Sequence, residues 1–167
     1  MELKQTLEDL NFPDRYQDII DTIDLEKAND FVKAMINTIV RKYGAQTLRQ
    51  EIASDNSNSK ISNHLTHIIE LGGLKIIADN NLDINDRDEF QNIMVSVAFV
   101  LNCSLAIELK NLGLYSGSTS NYYGNEAILI IIQRLAKHSM NGMNFSAGFE
   151  HHANVMIFDN LIGQLTD

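Results

Sequence analysis

From Gln91 to Ile107 the chain runs without a charged residue, and this stretch constrains the fold more than any other. It sits inside a helical pattern from about Arg87 to Leu112. Asp86 is placed to cap the free N–H groups, Asp88 and Glu89 suit the positive end of the helix dipole, and Gly113 ends the run. The middle of such a helix is apolar nearly all round, so other helices must surround it. A membrane span fits less well. The uncharged stretch is shorter than the roughly 20 residues a bilayer needs, and it contains Ser96, Asn102 and Ser104.

The flanking sequence supplies candidates for those neighbours. Between Asp24 and Gly44, Leu25, Ala28, Phe31, Val32, Met35, Ile36, Ile39 and Val40 recur at three- and four-residue spacing, the repeat of one helical face. Asp24 reads as the N-cap and Gly44 as the stop. A second pattern runs from about Ala45 to Ala53 and gives way to a polar loop from Ser54 to Ser59. A third, Ile61 to Leu71, is expected to end at Gly72-Gly73, with Leu74 to Ala78 as a separate short helix. The run Ala127 to Ile132 is rich in β-branched residues that also suit a strand. Ile128, Ile131, Ile132 and Leu135 nevertheless keep one helical face, and Asn125 is placed to cap it. A last helix is expected from Ala147 to Leu165. With proline only at position 13 and no sustained alternation, residues 1–167 read as one all-α domain, a compact bundle of about six to eight helices around a central apolar helix. No internal repeat or low-complexity tract interrupts it.

Candidate chemistry is sparse. His64 and His67 stand three apart on a predicted helix with Glu70 three further on, while Glu150, His151 and His152 cluster near the start of the last helix. Facing helices could bring such side chains together on a metal ion, as in a helical-bundle metal-dependent hydrolase. The spacing does not single that out. There is no HExxH, and adjacent His151 and His152 diverge by about 100° on a helix. These histidines therefore read as solvated or hydrogen-bonded, with no cofactor or metal implied. Cys103, the single cysteine, falls mid-helix in the most apolar segment, where a thiol is inert packing. With 22 acidic residues, a nearby Asp/Glu pair says nothing about general acid/base work. The chain is expected to be non-catalytic.

Charge is the remaining signal. The formal net charge is −9, and two segments account for it. Residues 1–30 hold nine acids against three bases; Asp79, Asp83, Asp86, Asp88 and Glu89 stand against Arg87 alone. Phosphate backbones require clustered Lys and Arg, so direct nucleic-acid binding is disfavoured and a basic protein is the expected partner. The stretch from Gly113 to Gly124 is long for a helix connection and carries Tyr115, Tyr122 and Tyr123 among small residues, a mixture suited to partner contact. Its glycines alone do not make an anion site, because no lysine accompanies them. The segment MELKQTLEDL has neither the basic nor the apolar region of a secretory signal. With one cysteine and no disulfide framework, the expected location is cytoplasmic.

An acidic α-helical chain of this size, with an anionic stretch from Asp79 to Glu89, resembles the immunity proteins of bacterial toxin systems, including those paired with contact-dependent growth inhibition toxins. The likeness is one of overall character. It implies a protein that binds one cognate toxin, often a basic nuclease, and blocks its active site or an exosite. Opposite charge would speed that encounter by steering. On this reading Asp79, Asp83, Asp86, Asp88 and Glu89 meet a basic cleft, while Tyr115, Tyr122 and Tyr123 supply desolvated anchors. The alternatives are a phage or mobile-element inhibitor of a nucleic-acid enzyme, using the same acids as a partial phosphate mimic, and the metal-dependent hydrolase.

Overall fold

A computed structural model describes residues 1–54, 60–113, 132 and 134–139. Within them the chain is all-α, with no strand among the described residues. Helix α1 (Glu2–Leu10) buries Leu3, Leu7 and Leu10, one stripe at helical spacing. It stops where Asn11 turns left-handed at φ 54° and donates its N–H to the Glu8 carbonyl, a conformation asparagine tolerates better than most residues. Pro13 follows, and its carbonyl accepts from the N–H groups of Tyr16 and Gln17, so α2 (Asp14–Ile20) starts at once.

Helix α3 (Leu25–Tyr43) has the ends expected of it. The Asp24 side chain accepts from the Lys27 N–H at 3.1 Å, and Gly44, at φ 85°, donates to the Val40 carbonyl. Its buried face is Ala28, Val32, Ile36 and Ile39. Helix α4 (Ala45–Ser54) follows without a linker.

Helix α5 (Lys60–Asp79) corrects the expected break at Gly72-Gly73, because it runs straight through both glycines. Neither has a positive φ. They are sites of close helix approach instead. A Cβ on Gly72 would lie 2.9 Å from a Leu101 methyl, and one on Gly73 would lie 2.5 Å from a Leu135 methyl. The glycine pair thus lets neighbouring side chains press onto the α5 backbone, which outweighs its weak helix propensity.

Helix α6 (Phe90–Asn111) is the central one. Every residue from Ile93 to Leu109 is buried, and α1, α2, α3 and α5 all pack against it. Phe99 lies in the middle of this contact, its ring 4.2 Å from that of Phe12 and 6.0 Å from that of Tyr16. The helix begins three residues later than expected, since residues 87–89 form a turn. It ends as expected, with Gly113 at φ 66° donating to the Lys110 carbonyl. Its 22 residues are long and apolar enough to cross a membrane, so length does not argue against a span. Burial does, because 94% of its most apolar window is covered by protein.

Of the four buried polar side chains of α6, Ser96, Ser104 and Glu108 find hydrogen-bond partners, whereas Asn102 has none among the described residues. Ser96 Oγ donates to the Asn92 carbonyl at 2.6 Å, and Ser104 Oγ donates to Asn29 Oδ1 at 2.8 Å. Asn29 in turn donates from Nδ2 to the buried Glu108 carboxylate at 3.1 Å, tying α3 to the end of α6. A seventh helix, α7, is described at residues 132 and 134–136, where Ile132, Leu135 and Ala136 are buried. The remainder of the run from Ala127, and the helix expected from Ala147 to Leu165, lie outside the described residues.

Candidate functional site

The connection between α5 and α6 is short, acidic and held from beneath. Asn81 adopts φ 53°, and the Leu82 N–H reaches back to the Ile77 carbonyl at 3.0 Å, closing the end of α5. Ile84 and Phe90 are buried in the core, and Leu82 packs against its edge. Ser139 Oγ, just past α7, donates to the Ile84 carbonyl at 2.6 Å. Between these anchors Asp83, Asp86, Asp88 and Glu89 are all exposed. Arg87 is the one base among them.

Two of these carboxylates also shape the loop. Asp83 Oδ1 accepts from the Asn85 N–H and Asp86 Oδ1 from the Asp88 N–H, each at 3.0 Å, in side-chain-to-backbone turns that favour aspartate or asparagine. Asp86 was expected to cap α6. Its side chain instead closes the turn that leads into the helix, while its carbonyl accepts from the Phe90 N–H at 2.9 Å. The second carboxylate oxygen of each residue takes no part in these bonds.

Asp79 differs from the other four. Lys75, one helical turn before it, lies 3.0 Å away, and Lys27 of α3 lies 3.5 Å away. The Lys75 contact is the main reason its carboxyl sits below the usual range, aided by the Lys27 charge. Its charge is therefore countered within the chain. The Lys75–Asp79 spacing was visible in the sequence as an i,i+4 pair; the approach of Lys27 was not.

The same corner joins the two acidic segments. Asn80 Oδ1 accepts from the Asp24 N–H at 3.0 Å, beside the Lys27–Asp79 pair, so the end of the N-terminal acidic segment abuts the start of the 79–89 stretch. Tyr115, Tyr122 and Tyr123 lie outside the described residues.

The histidines of α5 go separate ways. His64 Nδ1 is 2.8 Å from the Tyr43 hydroxyl, in a part-buried pair. His67 is exposed. Glu70 turns to α7, with His138 Nε2 at 2.9 Å and Arg134 Nη1 at 3.4 Å, and the His138 hydrogen bond is the main cause of its lowered pKa. Glu150, His151 and His152 lie outside the described residues, among which no three His, Cys, Asp or Glu side chains are grouped to hold a metal ion. Cys103 is fully buried, and desolvation pushes its thiol up to about 12, far from a reactive thiolate. Compared with known proteins, the chain matches no family model, no curated protein and no solved structure.

Proposed function

We propose that the chain is a non-catalytic inhibitor of a basic protein, in the manner of toxin immunity proteins, and that the 83–89 loop is its main contact surface. The observation that carries this is the loop itself: four exposed carboxylates held in place by Ile84, Phe90 and two aspartate turns. Carboxylates that serve only solubility need no such anchoring. Pre-ordering lowers the entropy cost of binding, and concentrated negative charge raises the encounter rate with a Lys/Arg-lined surface.

The test is affinity capture from the native host, followed by titration of whatever co-purifies. A stoichiometric basic protein whose activity falls to baseline at one inhibitor per molecule is the expected result. A partner of acidic surface, or one whose activity is untouched at saturation, would refute the proposal.

A further inference from the structure

A second concave surface lies beside the acidic corner, bounded by α1, α2 and the first turn of α3. The groove encloses about 560 Å³, within the range of sites that take a side chain or a short peptide segment. Leu7, Ile20 and Ile23 close its floor, and half-buried Leu25 and exposed Met1 stand at its walls. Glu8, Asp21, Asp24 and Glu26 form the rim against one basic side chain, Lys4. Asp21 accepts from the Gln17 side chain and Asp24 from the Lys27 N–H, but no salt bridge joins any of the four carboxylates to a base among the described residues. An apolar base under a negative rim suits a side chain with an aliphatic stem and a cationic head. Anionic lipid and nucleic acid would be repelled.

We infer that this groove docks a basic amphipathic segment of a protein, seating an aliphatic residue or stem against Leu25 and Met1 and its Lys/Arg groups on Glu8, Asp21 and Glu26. The inference goes beyond the inhibitor proposal and stands whether or not the partner is a toxin.

The test uses the full chain and a fluorescein-labelled peptide of about 14 residues, with leucines at helical spacing and lysines elsewhere. Two control peptides replace lysine by glutamate, or leucine by serine. Saturable binding of the leucine–lysine peptide is expected, with amide shift changes at Lys4, Glu8, Gln17, Asp21 and Glu26. The triple variant Glu8→Gln, Asp21→Asn, Glu26→Gln keeps side-chain size and should bind about tenfold more weakly at low salt, with an unchanged helical spectrum. Equal binding of the serine peptide would overturn the inference, since charge alone would then suffice. Shift changes confined to residues 83–89, an unaffected triple variant, or no binding at all would do the same.

Discussion

Gly72 and Gly73 show how one residue type can carry opposite meanings. In the sequence the pair reads as a helix stop; in the fold it is a helix interior whose missing side chains admit Leu101 and Leu135. Only the partner helices distinguish the two, and a single sequence does not display them. The consequence is testable. Glycine to alanine inside a helix ordinarily stabilises by about 1 kcal/mol, whereas overpacking a buried contact costs about 1–3 kcal/mol. Gly73→Ala would meet three atoms of the fully buried Leu135 within 3.1 Å, its branch carbon Cγ among them. It should lose about 1–2 kcal/mol in urea unfolding. Gly72→Ala meets one Leu101 methyl at 2.9 Å and then nothing closer than 3.8 Å, so it should cost clearly less. Equal effects, or a stabilised Gly73→Ala, would mean that α7 does not press on α5 as described.

Among the elements, legibility followed local signals. Helix α3 is marked at both ends by residues whose own chemistry sets the boundary, Asp24 and Gly44, and both act as their types suggest. The apolar run of α6 announces a buried helix because its composition leaves no solvent-facing side. Helices α1 and α2 were hidden, since nine acids among residues 1–30 overshadow the short stripe of Leu3, Leu7 and Leu10. The tie between α5 and α7 was also invisible: Glu70 pairs with Arg134 and His138, more than sixty residues away. This contact has a pH signature. Glu70 has a folded pKa below its ordinary 4.5, so its ionised form stabilises the fold at higher pH, and that contribution fades as pH falls from 4.5 through the lowered value. The stability gap between the native chain and Glu70→Gln should therefore shrink as pH falls from 4.5 through the lowered value. A gap that does not change with pH would show that the carboxylate is not engaged. The effect should be small, because His138 and Arg134 are both substantially exposed to solvent.

For the whole molecule, the central helix and the acidic surface divide the work. Helix α6 concentrates apolar burial along one axis and is covered by α1, α2, α3 and α5. Apart from Glu108, the ionic groups near α6 thereby fall to the periphery, and the α5–α6 connection becomes an acidic ridge. The sequence displayed those acids but not their differences. Asp79 is neutralised by Lys27 and Lys75, Asp83 and Asp86 also hold the loop's shape, and the corner at Asp24 and Asn80 brings the two acidic segments together. Long-range electrostatics then belong to the surface as a unit, so its proper readout is kinetic. The most direct measurement is stopped-flow association with the captured partner at two salt concentrations, comparing the native chain with the triple variant Asp83→Asn, Asp86→Asn, Asp88→Asn. Asparagine keeps both loop hydrogen bonds while removing the charge. The variant should associate about tenfold more slowly at low salt, with a flatter salt dependence and little change in dissociation. Association at the native rate in low salt, with an unchanged salt dependence, would contradict the account and leave these carboxylates as surface charge alone.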